Sequence, residues 1–330
     1  MKKRSSLFLV LGMLSFIAAH AWGVYGHKHI VHAAIFALPA EMGTFFYNHA
    51  DFVTEESVVP DIRKYTIGDK AEFPRHFINL EAYGSTGQPA TLNNALLIKL
   101  PEDTLQKNGY LPLYIQTMME KLTNAMRNRN SAEILFLAGD LSHYLADAHM
   151  PLHTTINHNG QFTDQKGIHA FWESQLPEMF GDKYNYHTEE AHYITNITEA
   201  TWTIIGHTYS LANSMLLADR ELKKATPANE IYETDSAGKI KRTRYFDLIY
   251  SKAYATHYNQ MLHGMVERQM RLAIQATADY WYTAWVNAGK PNLTDLDPKD
   301  VTERNKPFYK KDREQWEAGH ISGFETYKEF

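Results

Sequence analysis

The sequence predicts an all-α protein, a single compact multi-helix domain with long loops. Three observations carry that expectation. Apolar residues recur at helical spacing along several long segments. Strand-like sequence is confined to one short basic stretch. The 330 residues are 44% apolar and 22% charged with no cysteine, a globular composition without a disulfide scaffold. The lack of cysteine also excludes a thiol nucleophile and a thiolate zinc site. A formal charge of −5 argues against non-specific wrapping of nucleic acid. It leaves room for metal-assisted chemistry on anionic substrates, because metal ions bring their own positive charge. Seventeen histidines are many for this length, and histidine is the commonest metal ligand.

In chain order, Met1-Lys2-Lys3-Arg4 is a basic start, Leu7 to Ala19 an almost unbroken apolar run, and Ala19-His20-Ala21 a small-x-small cleavage pattern. Together they read as a signal peptide over residues 1–21. The apolar run of 13 residues is short of the roughly 20 that span a bilayer. The expectation is cleavage and export to periplasm or medium, with no stable membrane insertion afterwards. Cleavage would make Trp22 the N-terminus. Its free amine, with a pKa near ~7.7, could bind a metal at neutral pH while the Trp22 carbonyl closes a chelate ring.

Val24 to Leu38 is apolar with helical spacing and stops at Pro39. Asp51 to Tyr110, rich in Pro, Gly, Asn and charge, reads as long ordered loops around short helices. Leu111 to Arg127 sets Leu113, Ile115, Met118, Met119, Leu122 and Met126 near one helical face. Ser131 to His149 follows, with Ser131 and Asn130 as candidate caps and Pro151 beyond its end. Ile168 to Phe180 reads as helix with a break near Pro177. Thr195 to Lys224 and Tyr245 to Ala288 are long helical patterns. Lys239 to Arg244, after the turn-like Asp235-Ser236-Ala237-Gly238, reads as part of a small hairpin. Asn292 to Phe330 is polar and charged, a flexible tail or an arm over the body. The expected organisation is a signal peptide (1–21), a helical domain (22–293) and a polar C-terminal tail (294–330).

The chemistry is concentrated in two segments. His143 and Asp147 are separated by four residues, so they share one helix face, and His153 follows past Pro151. His169 and Glu173 repeat the same spacing. Imidazole nitrogen with carboxylate oxygen is the zinc ligand set when thiolate is unavailable. One such pair is more often a surface hydrogen bond. Two within about 30 residues, with a further histidine between them, point to metal. Trp22 to His27, and Asp61 with His76 fifteen positions later, complete a constellation.

These residues resemble the zinc-dependent phospholipases C and the single-strand-specific zinc nucleases of fungi and plants, which form one superfamily. The order Trp, His, Asp, His, HxxxD, His, HxxxE/D is met without a gap from Trp22 to Glu173. The resemblance implies three zinc ions. Asp61, His76, His143 and Asp147 would hold one, and His153, His169 and Glu173 a second. Trp22, His27 and again Asp147 would hold the third. Three divalent ions outweigh three carboxylates, so the site would stay cationic and attract a phosphodiester. Asp61 would also orient the attacking water or take its proton. Lys64, or Arg63 beside it, would steady the phosphate.

The substrate stays open between two branches. Toward the nucleases point the Trp22-to-His27 and Asp61-to-His76 spacings. So do Phe77 and Asn79, at the positions where nucleases hold a base, with Asn79 replacing the usual acid. That reading makes single-stranded nucleic acid or nucleotides the partner. Toward a phospholipase C on phosphatidylcholine-type lipids point Glu173, the short His153-to-His169 spacing and the lack of disulfides. A secreted binding protein with structural zinc is the remaining alternative. His149, expected to hydrogen-bond a ligand, is not counted as one, nor are His29 and His32. Trp172, Trp281 and Trp285 are read as core.

Overall fold

The computed structural model describes residues 22–84, 93–296 and 300–322. The expected signal peptide, residues 1–21, lies outside them. The helices of nine or more residues are α1 (Gly23–Ala37), α2 (Ala40–Asn48), α3 (Leu111–Arg127), α4 (Ser131–Ala148), α5 (Ile197–Ala225), α6 (Lys252–Met261), α7 (Met265–Asn287) and α8 (Lys306–Glu317). The fold is all-α. Among the described residues, extended pairing is limited to three isolated antiparallel bridges, Tyr232 with Tyr250, Thr234 with Ile240 and Arg242 with Leu248. The hairpin expected from Lys239 to Arg244 takes this reduced form.

A helix buried on every side must run through the core. From Leu137 onward helix α4 is that helix: Leu141, Leu145 and Ala148 are buried, and so are the polar Asp140, His143 and Asp147. It packs on α3, α1 and α7. Asn130 supplies its cap, accepting the Glu133 N–H at 3.3 Å. Helix α3 follows its apolar pattern, with Pro112 in its first turn and Ile115, Met118, Met119, Leu122 and Met126 buried. Trp281 of α7 stacks on Phe46 at 4.7 Å and donates to the Ala138 carbonyl at 3.1 Å. Trp172, Trp281 and Trp285 are core residues as expected.

Two boundaries differ from the sequence pattern. Tyr245 to Ala288 is not one helix. Ser251 caps α6, and a left-handed turn at His263 (φ 49°) and Gly264 (φ 75°) separates it from α7. Ile168 to Phe180 is not broken at Pro177. The chain runs from Ile168–Ala170 through a π-helical turn, Phe171–Gln175, into Leu176–Phe180. The Leu176 N–H reaches back to the Phe171 carbonyl. That widened turn lies where proline would otherwise clash with the carbonyl four residues earlier. Asp51 to Tyr110 carries more helix than expected, in short pieces such as Ala50–Glu56 and Glu102–Asn108.

Close helix approach positions the future site. At Gly139 of α4 an added Cβ would lie 2.7 Å from the Glu56 Cβ, so the helix Ala50–Glu56 packs directly on the α4 backbone. Near the C-terminus, α8 lays Trp316 against Phe36, ring centroids 6.2 Å apart. No helix among the described residues is long and apolar enough to cross a membrane.

Candidate metal centre

Eight of the expected side chains converge in the interior: His27 from α1, Asp61 at the end of Val59–Asp61, His76 after Phe73–Arg75, His143 and Asp147 from α4, His153 from Pro151–Thr154, and His169 and Glu173 from Ile168–Gln175. All are buried. Three groups have ligand atoms close enough to share an ion: His27, Asp61 and His143; His76, His143 and Asp147; His153, His169 and Glu173.

Two atoms bound to one tetrahedral zinc at about 2.0–2.2 Å lie roughly 3.3–3.6 Å apart. Asp147 Oδ2 is 3.0 Å from His76 Nδ1 and 3.4 Å from His143 Nε2. Asp61 Oδ1 is 3.7 Å from His76 Nδ1 and 3.9 Å from His143 Nε2. His153 Nε2 is 3.6 Å from Glu173 Oε2, and His169 Nε2 is 3.0 Å from it. The other Asp147 oxygen, Oδ1, turns toward His27 Nε2 at 3.8 Å. The two oxygens of one carboxylate therefore face two different histidine groups, the geometry of a bridging ligand.

The backbone selects which histidine nitrogen faces inward. His143 Nδ1 donates to the Ser57 carbonyl at 2.7 Å, His153 Nδ1 to the His76 carbonyl at 2.6 Å, and His169 Nδ1 to the His158 carbonyl at 2.6 Å. Each ring thus turns its Nε2 into the cluster, where the neutral imidazole can ligate. His76 is reversed. Its Nδ1 faces Asp147, and its Nε2 lies 3.4 Å from Glu72 Oε1. Glu72 is itself held by Arg63 Nε and Arg75 Nη1, each at 3.0 Å, and by the Tyr144 hydroxyl.

The electrostatics fit a cation. Asp147 Oδ1 and both Glu173 oxygens are buried without a hydrogen-bond partner among the described residues, an arrangement costly for a carboxylate that nothing positive satisfies. Burial, opposed by the nearby His153 and aided by Asp147 and Asp61, pushes the Glu173 carboxyl up to about 8. A bound cation would keep it ionised at neutral pH. Burial also raises Asp147, but the charges of His143 and His153 and the hydrogen bonds from His143 and His76 overcome it and hold Asp147 well below the carboxylate range. Burial pushes His169 down to about 4, keeping the imidazole neutral and able to ligate.

Trp22 is fixed at the same end. Its indole N–H donates to the Ala146 carbonyl at 2.6 Å, and its ring meets Trp172 at 5.0 Å. Its backbone therefore stands beside the α4 turn that carries Asp147. The Trp22 carbonyl accepts the Gly26 N–H at 3.0 Å, which starts α1 and leaves one lone pair.

The two cations separate. Lys64 Nζ lies 3.3 Å from Asp61 Oδ1, above the Tyr65 ring at 4.3 Å. Arg63 instead donates to Glu72 and, at 2.7 Å, to Asp140, so it serves a buried carboxylate cluster and not the cleft. Asp61 and Lys64 open onto a cleft of about 500 Å³, walled also by Val58, Tyr65, Arg244 and Tyr245. Phe77 is half-buried, edge-on to the half-exposed Phe73 at 5.2 Å. Asn79 is buried, its backbone N–H donating to the Asn108 carbonyl at 2.8 Å. His149 does not reach a ligand, contrary to expectation. Its Nδ1 donates to the Leu145 carbonyl of its own helix. His29 is packed, stacked on Tyr25 at 3.8 Å, and His32 lies edge-on to Phe36.

Sequence reasoning missed Glu72, Tyr65, Arg244 and Tyr245. Glu72 carried a usable signal, standing four residues before His76. The others come from segments with no motif.

A buried cluster of five histidines and three acids on an all-helical scaffold is compatible with metal binding. The chain belongs to the zinc-dependent phospholipase C family, whose pattern matches residues 26–213. It is also 26% identical over 228 residues to a probable serine protease of Bradyrhizobium tropiciagri. That match covers 60% of this chain and 27% of the other protein, so this chain spans a minor part of that relative's length.

Proposed function

We propose that the protein is an exported phosphodiester hydrolase with three zinc ions that cleaves single-stranded nucleic acid or nucleotides. The observation that carries the hydrolase reading is Asp147, one oxygen toward His27 and the other toward His76 and His143. Asp61, His76, His143 and Asp147 would hold one ion, and His153, His169 and Glu173 the second. Trp22, His27 and Asp147 would hold the third. Zinc bound there supplies Lewis-acid polarisation of the phosphoryl group and activation of water. Asp61, at the cleft wall, orients the water and accepts its proton. Lys64 steadies the phosphate oxygens. The second group has three protein side chains and so keeps a position for substrate, as catalytic zinc sites do and closed structural sites do not.

Lys64 also favours the nucleic-acid branch. A cation fixed 3.3 Å from Asp61 repels the quaternary ammonium of a choline headgroup and welcomes a further phosphate. Phe77, beside the exposed Phe73, offers a face for a base, a contact worth about 1–3 kcal/mol. The phospholipid reading keeps one observation in its favour, the Glu173 carboxylate in place of aspartate.

The test is one parallel assay of protein beginning at Trp22 and loaded with zinc. Single-stranded DNA, RNA and phosphatidylcholine vesicles are offered with and without chelator. Chelator-sensitive nucleotide release is expected. Phosphocholine release alone would overturn the nuclease reading, and activity indifferent to chelator would overturn the zinc reading.

A further inference from the structure

The basic stretch Lys239 to Arg244 has no role in the metal centre, yet its end faces the cleft. Four of its six residues are cationic in a chain of net charge −5. The bridged segment from Tyr232 to Tyr250 is tied to the π-helical turn that presents Glu173. Gln175 donates to the Leu248 carbonyl at 2.8 Å and accepts the Tyr250 N–H at 3.0 Å. Phe171 stacks on Tyr250 at 3.7 Å with planes 10° apart. The base of the hairpin and the second ligand group are therefore held by one element.

The tip is equally determined. Thr243 Oγ1 accepts the N–H groups of Tyr245 at 3.1 Å and Asp247 at 3.2 Å, and Arg242 Nη1 donates to the Phe246 carbonyl at 2.7 Å. This turn sets Arg244 and Tyr245 in the cleft wall with Asp61 and Lys64. The Arg244 guanidinium lies 4.6 Å from the Tyr245 ring centroid, within cation–π range. Phe246 takes a left-handed conformation, φ 68°, and is 75% exposed. A large side chain held there against backbone preference and presented to solvent is available to a ligand.

We infer that this hairpin is a second substrate subsite, taking the phosphate and base that flank the scissile bond of a single strand. The inference rests on the nuclease reading. Lys64 steadies the scissile phosphate, Arg244 pairs with its neighbour along the strand, and Phe246 stacks on the adjoining base. A dinucleoside monophosphate has no flanking phosphate, so longer strands are the better substrates.

The experiment compares kcat/KM for a single-stranded oligonucleotide of about twelve nucleotides and for a dinucleoside monophosphate over a range of salt. It uses the zinc-loaded protein and its Arg244→Ala and Arg244→Lys variants. The wild type should prefer the longer strand. Arg244→Ala should lower that preference roughly tenfold, the scale of one charge-assisted contact. It should also flatten the salt dependence of kcat/KM on the longer strand by about 0.7 in log–log slope. Arg244→Lys should restore the slope. Unaltered preference and slope in Arg244→Ala, with both substrates cleaved, would overturn the subsite alone. Failure of the wild type to cleave either would overturn the nuclease reading and the subsite with it.

Discussion

Four of the five histidines of the centre are aimed by their second nitrogen. Three donate Nδ1–H to a backbone carbonyl, while His76 is backed on its Nε2 side by the Glu72 carboxylate. A carboxylate behind an imidazole fixes the tautomer and raises ligand basicity. Glu72→Gln keeps the shape and removes that charge. Zinc affinity, measured by competition with a chromophoric chelator, should fall about 10–100-fold. Unchanged affinity would show that Glu72 serves only Arg63, Arg75 and Tyr144. The Glu72–His76 spacing is the same four-residue interval that drew attention to His143–Asp147 and His169–Glu173. Spacing alone does not say which carboxylate faces a metal and which stands behind a ring. That depends on the nitrogen each one meets.

Two elements make the side-chain geometry possible. The π-helical turns Ile62–Ile67 and Phe171–Gln175 follow Asp61 and carry Glu173. Wide turns of this kind are rare and gather at functional sites. Neither was legible, because hydrophobic periodicity does not distinguish an extra residue in one turn; Pro177 was the only local hint, and it read as a break. The other element is the helix Ala50–Glu56 against α4. Gly139→Ala would drive a methyl group to 2.7 Å from the Glu56 Cβ. Urea denaturation should show a loss of about 1–3 kcal/mol, the usual cost of overpacking. Zinc affinity should fall with it, because the separation of these helices sets the bond from His143 to the Ser57 carbonyl. A variant as stable as the wild type would mean that the two helices part without cost.

At the scale of the whole molecule the interior holds ionisable groups that acid must charge. His149 is buried against Leu145 and Gln269, away from the ligands. Burial, aided by His207 and opposed by the Leu145 hydrogen bond, lowers it to about 4. Between its ordinary pKa of about 6.5 and 4 the unfolded chain binds a proton that the folded chain does not. Stability therefore falls as pH falls through that window, by on the order of 3 kcal/mol for this one group. His149→Asn keeps a donor for the Leu145 carbonyl and cannot charge. In metal-stripped protein it should lose less stability than the wild type between pH 7 and 4.5, measured by urea midpoints. Equal losses would place the acid sensitivity elsewhere. By itself the sequence determined the helical class, the main helices from α3 to α5 and the nine residues proposed to hold metal. Helical periodicity and four-residue ligand spacing are local properties, and local properties survive in one dimension. Only the tertiary structure decided that Arg63 turns inward to carboxylates, that Glu72 backs His76, and that a hairpin some 180 residues from Asp61 walls the same cleft. Those outcomes depend on which helices pack together and how closely, and packing partners are distant along the chain.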